Sequence, residues 1–301
     1  MAMKESAHLP HRLFFALTVI LVLILTSCVT VNKAQAQDFA SGTGIMDDPF
    51  IIDTANQLAN LNNYLNQPDV YFKLGSDITS LPSPWTPIGP DFANTFASDF
   101  DGNGHTITGV VYSSQAYVGV FGVSAGSIEN LTVDITLSST AVDASAGALA
   151  GVAEGTIRNC YAAGNVTGTG DYSHVGGLVG LASGSIQESY ATGSVTGVGN
   201  NDAVGGLAGF LTISTVQDCY AIGSVTGTET SDVTGGLVGL NFGGESSNCF
   251  FDSETAQPAT TDSAGATPEP DAAMKNLFTY KGWDFNDVWT MPVLGYPAFA
   301  S

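Results

Sequence analysis

Between Gly119 and Cys249 the chain runs five times through nearly the same 29 to 30 residues, and a repeat of that length leaves few folds open. The register shows in G-G-L-V-G runs at Gly176 to Gly180 and Gly235 to Gly239. Looser copies are G-G-L-A-G from Gly205, G-A-L-A-G from Gly147 and V-G-V-F-G from Val118. Each is followed by a short turn and a second apolar segment.

Three apolar columns fix the geometry. Val120, Leu149, Leu178, Leu207 and Leu237 form one; Ile128, Ile157, Ile186, Val216 and Ser246 a second; Leu137, Val166, Val195 and Val225 a third. From the second column to the first is always 21 residues, whereas the return interval is 8, 8, 8, 9 and 9. All length variation therefore falls in one turn, the one element that absorbs an extra residue without shifting strand register. β-branched residues and Gly without helical periodicity predict an all-β parallel β-solenoid (β-helix) of about five coils, with about three short strands per coil. Neighbouring coils must cover each other's apolar residues, so the ends need caps. The glycines are expected at corners, supplying positive φ and close stacking.

The flanks differ in composition and divide the chain into an export signal (1–36), an N-terminal cap unit (37–117), the repeats (118–252), a Pro, Thr and Ala-rich linker (253–271) and an aromatic C-terminal cap (272–301). In the α+β N-terminal unit, Thr54 is placed to cap a helix reaching about Gln67, and Tyr71 to Leu74 reads as a strand. Trp283, Phe285, Trp289, Tyr296 and Phe299 suit a small unit folded over the last coil.

Lys4 and Arg12 flank an apolar run from Leu13 to Leu25, the layout of an export signal. Two processing readings compete: Leu25-Thr26-Ser27-Cys28 fits a lipobox that would acylate Cys28, and Ala34-Gln35-Ala36 fits cleavage after Ala36. Both predict an exported protein, at the bacterial cell surface as an outer-membrane lipoprotein or secreted, touching a membrane only through Cys28. Without the signal the chain keeps four basic and 27 acidic residues, which excludes nucleic acid as a partner and favours cationic ligands.

The stretch Gly176 to Gly197, G-G-L-V-G-L-A-S-G-S-I-Q-E-S-Y-A-T-G-S-V-T-G, resembles the GLUG motif throughout. Asp48-Pro49-Phe50, Trp85 to Gly89 and Phe100 to Ile107 are similar to the unit that commonly precedes such repeats, and Gly282-Trp283-Asp284-Phe285 with Gly295-Tyr296-Pro297 to their usual ending. The resemblance implies an exported bacterial surface protein. The family includes adhesins and an IgA-cleaving metallopeptidase, whose H-E-x-x-H zinc motif this sequence lacks.

Candidate sites in the repeats read mostly as structure. Gly122-Val123-Ser124-Ala125-Gly126 fits a nucleophile elbow, but Ala153 and Ala182 stand at the serine's place in the next coils. Cys160, Cys219 and Cys249 share a column with Leu131 and Ser189, as small core residues do; Cys219 and Cys249, in adjacent coils, are also close enough for a disulfide. Asp101-Gly102-Asn103-Gly104 reads as a turn. Asp143, Asp171, Asp202 and Asp232 at the turns form an acidic rim open to weak Ca²⁺ binding, with no cofactor otherwise expected. Alternation sends Tyr161, Tyr190 and Tyr220 outward beside Thr192, Thr196 and Thr226, giving either a ligand face for a glycan or surface protein or a ladder that stabilises the solenoid. The function expected is non-enzymatic: an adhesin-like binding or spacer module. The alternatives are a carbohydrate-active β-helix enzyme and a purely structural envelope component.

Overall fold

A computed structural model describes residues 38–256 and 262–300, and shows a parallel β-solenoid of about six windings. The predicted columns are real files. Leu178 N–H donates to Leu207 O at 2.9 Å, and Leu207 N–H to Leu237 O at 2.8 Å. Ile128, Ile157, Ile186, Val216 and Ser246 stand in direct register, as do Leu137, Val166, Val195 and Val225. The Leu file is fully buried, each side chain lying between its counterparts in adjacent windings.

One winding carries five strands rather than about three: Thr156–Arg158, Tyr161–Ala162, Val166–Gly168, His174–Gly176 and Val179–Ala182. The extra corners come from residues whose role differs from the one expected. Among the repeat glycines only Gly243, in the longer turn of the last winding, has positive φ. That conformation otherwise belongs to Asn130, Asn159, Glu188, Asp218 and Asn248, one per winding, and to Asp143, Tyr172 and Asn201 at a second corner. Short polar side chains tolerate the left-handed region better than other non-glycine residues. The glycines serve close approach instead. A Cβ on Gly180 would lie 2.4 Å from Ala146 N, and one on Gly176 2.0 Å from Val179 O, so two of the sheets meet backbone to backbone.

The extra residue of the longer windings sits where the intervals placed it. Ala182 pairs with Leu211 and Ser185 with Thr215, leaving two residues between strands in one winding and three in the next. Ile213 and Phe242, in these longer turns, are 83% and 76% exposed.

The stack begins well before the repeats. Strands Phe50–Ile52, Tyr71–Leu74 and Asp99–Asp101 join the eight-stranded sheet, so Phe50, Phe72 and Phe100 extend the file that continues as Ile128 and Ile157. Thr54 caps its helix with a capping box to Gln57, but the α-helix covers only Ala55–Ala59 and tightens to a 3₁₀ turn over Asn60–Asn63. Asparagine is a weak helix former, and Asn62 Oδ1 is drawn away to accept Gly89 N–H at 3.1 Å.

At the other end the expected division of labour is reversed. The segment read as a linker closes the open winding. Asp262 Oδ1 accepts Leu237 N–H at 3.1 Å and the adjacent Val238 N–H, its Oδ2 accepts Ala264 and Ala266 N–H, and Thr267–Glu269 adds a parallel strand beside Phe250–Asp252. The aromatic unit instead lies along the flank. Its helix Asp271–Met274 and antiparallel pair Trp289–Thr290 with Ala298–Phe299 build a second core separate from the solenoid interior.

Candidate functional site

Tyr161, Tyr190 and Tyr220 do form a ladder. Successive rings stack at 4.2 and 4.7 Å, with interplanar angles of 15° and 6°. Alternation turns them away from the solenoid core, but not into water. Tyr190 is 7% exposed and Tyr220 1%, because Met274, Tyr280, Trp283 and Trp289 cover them. Tyr220 Oη donates to Pro297 O. Burial pushes the phenol of Tyr220 well above its ordinary value, neighbouring tyrosines adding to the effect. The expectation of an open tyrosine ligand face is therefore corrected: the chain's own C-terminus occupies it, since rings stacked at strand spacing offer an apolar strip that another aromatic unit covers at little cost in polar desolvation. Tyr161 remains half-buried, its hydroxyl 3.0 Å from Thr192 Oγ1.

Thr196 and Thr226 lie elsewhere, in register with Ser138 and Thr167 as a half-exposed hydroxyl file on the same ten-stranded sheet. Cys28 and the Ala34-Gln35-Ala36 site fall outside the described residues.

Other candidates resolve into structure. Ser124 is 1% exposed and stands in register with Ala153. The cysteines are free and buried; Cys160, Cys219 and Cys249 Sγ each donate to the carbonyl two residues earlier, at 3.3, 3.1 and 3.2 Å. Ser189 Oγ makes the same bond to Gln187 O at 2.6 Å, so every member of the column except Leu131 closes its turn as a donor. Burial raises the Cys160 thiol to about 12. Asp101 Oδ1 accepts Asn103 N–H at 2.8 Å, a tight turn. Asp202 is buried, its Oδ1 accepting Ser173 N–H at 2.8 Å and its own N–H donating to Asp232 Oδ1 at 2.9 Å. Desolvation raises it to about 6, with Asp232 and Asp171 adding to the effect. Among the described residues no three His, Cys, Asp or Glu side chains are grouped to hold a metal ion. Ser145 Oγ lies 3.4 Å from His174 Nδ1, but the serine is 3% exposed and the imidazole, stacked on Phe210, is held below its ordinary value by burial.

The concave surfaces lie where non-repeating segments meet the first windings. One cavity of about 560 Å³ has the outward residues Tyr71, Lys73, Asp99 and Glu129 as its floor and the hairpin of Met46 and Asp47 as its wall. A second, of about 640 Å³, runs past Asn103, Asn130 and Thr132 to Phe299 in the C-terminal tail. Both include Lys73 and Asp101, an ion pair at 3.0 Å. Tyr71 was legible as a strand residue, but nothing in its spacing marked a site; the repeat drew attention to positions that recur, and these do not.

A family profile described as the GLUG motif matches residues 143–167, 171–196 and 200–226. The β-solenoid thus carries three GLUG repeats. Over 134 residues it is 34% identical to a "Putative Gly-rich membrane protein" of Evansella cellulosilytica, an alignment covering 41% of this chain. The GLUG-repeat chain spans 15% of the length of that curated relative. A crystal structure described as "a putative immunoglobulin A1 protease from Bacteroides ovatus" superposes with a TM-score of 0.66, covering 87% of this chain and 95% of the other. At 22% identity that likeness is one of fold. Among the described residues of the GLUG-repeat protein no helix is long and apolar enough to cross a membrane.

Proposed function

We propose that this GLUG-repeat solenoid is a non-enzymatic, exported surface module that works as a rigid spacer and an adhesin-like binder. One observation carries the reading: apart from turn residues such as Ile213 and Phe242, the repeats bury most of their apolar and aromatic side chains, and one sheet face carries outward the hydroxyl file of Ser138, Thr167, Thr196 and Thr226, suited to weak contacts summed along a rod. Burial of Ser124 and Ser145 argues against serine chemistry. The membrane-protein name of the relative and the signal-like residues 1–36 favour a place at the envelope, with Cys28 as the candidate lipid anchor. An array of glycans and extracellular matrix proteins tests the reading. Saturable binding without turnover is the expected result, and hydrolysis of any arrayed polysaccharide or protein would overturn it.

A further inference from the structure

The two cavities adjoin at the Lys73–Asp101 ion pair that lines both, with the hairpin at Met46 and Asp47 on one side and the tail at Ala298 to Ala300 on the other. Both of these segments lie outside the repeats. A scaffold built from recurring windings with a concavity edged by unique segments is the usual division between support and recognition.

The chemistry of the groove is uneven in a way that selects a ligand. Its carboxylates are Asp47, Asp99, Asp101 and Glu129. Asp101 is matched by Lys73 at 3.0 Å and Glu129 by Arg158 at 2.9 Å. Among the described residues no cation pairs with Asp47 or Asp99; Asp47 is exposed, and Asp99 Oδ1 accepts only the Ser127 N–H at 3.2 Å. A strongly acidic protein thus presents two uncompensated carboxylates inside a concavity, where a cation is attracted most. Beside them Tyr71 offers a half-buried ring, and farther along Asn103 and Thr132 offer amide and hydroxyl groups. A flat ring, dispersed neutral polar groups and unpaired acids together match a chain of hydroxyl-covered rings that carries positive charge.

We propose that this groove binds an oligosaccharide bearing free amino groups, its ammonium groups seated at Asp47 and Asp99 and a sugar ring lying against Tyr71. This assignment rests on the surface-binding reading and gives it a ligand class. A basic peptide would satisfy the acids but leave the amide and hydroxyl end of the groove unused.

Calorimetric titration of the exported protein with a soluble glucosamine oligomer, its N-acetylated counterpart and oligolysine decides it. The glucosamine oligomer should bind best and lose affinity as salt is raised. Asp47→Asn combined with Asp99→Asn should weaken it about tenfold, the effect of two exposed charge contacts, with the thermal midpoint unchanged. Tyr71→Ala should weaken both oligosaccharides. Equal binding of the amine and N-acetyl forms, tighter binding of oligolysine, or an unaffected double variant would overturn the assignment. If a different glycan then binds independently of Asp47 and Asp99, the surface-binding reading stands and the groove assignment alone falls; if nothing on the wider array binds, both fall.

Discussion

The solenoid interior and the flank under the aromatic unit are both buried and apolar, yet they are built on opposite plans. Inside, like sits on like: the Leu, Ile and Val files repeat one residue type at strand spacing, so each contact has several near-equivalents. On the flank, Tyr190 and Tyr220 meet Trp283, Trp289 and Phe299, large rings from a segment that does not repeat. A repeat thus distributes stability over many positions, whereas a unique interface concentrates it in a few.

Substitution of one residue from each region tests this most severely. Trp289→Ala removes a buried ring lying 4.5 Å from Trp283 and 5.1 Å from Phe299, and should cost the flank about 3–5 kcal/mol. Hydrogen exchange should then show residues 271–300 losing protection while the amides of Leu178 and Leu207 keep theirs. Leu178→Ala should cost about 2–5 kcal/mol and lower protection in windings on both sides of it. Simultaneous loss of protection everywhere in the Trp289 variant would show that the two regions form one cooperative unit.

The closing winding shows what happens when the interior plan stops. Asp262→Ala would leave the Leu237 and Val238 amides without an acceptor, and should cost about 2–3 kcal/mol in urea unfolding. It should also raise light scattering, because an uncovered strand edge invites pairing with another chain.

Asp202 sharpens the comparison through pH. Its native carboxyl titrates near 6 against an ordinary 3.8, so the folded state holds a proton that the unfolded state has already released. Stability from this group is complete below about pH 4, declines as pH rises to about 6, and is then level; the fall should be about 3 kcal/mol. In Asp202→Asn, which keeps an acceptor for Ser173 N–H, that component of the pH profile should vanish.

The smallest expected effect is a gain. Asn159 Nδ2 donates to Asn130 Oδ1 at 2.7 Å, and Asn130 Nδ2 to Asp101 Oδ1 at 3.0 Å, but Asn159 Oδ1 is buried without a partner. The next residue in that file is Glu188, which carries no side-chain donor and is held at φ 47°. Glu188→Asn should extend the ladder and ease the backbone, raising stability by about 1 kcal/mol in thermal unfolding.

Where a residue's role recurs, the sequence was readable: the three files, the turn that takes the extra residue and the stacking of the tyrosines all follow from spacing. Roles set by what packs across from a residue were not. Gly176 and Gly180 look like turn glycines until the second sheet is seen against them. Tyr190 and Tyr220 point outward as alternation requires, but only the tertiary structure reveals that Trp289 and Pro297 lie over them. The groove was least legible of all, because Met46, Tyr71 and Asp99 are brought together from separate, non-repeating segments with no shared pattern.

The elastic turn that holds Ile213 in one winding and Phe242 in the next also makes this rod a ready display scaffold. A foreign peptide spliced between Ile213 and Ser214 would be carried outside the stack, anchored at both ends by strands whose alignment tolerates a change of length there. Several such grafts, one per winding, would present their cargo at the spacing of the sheet itself.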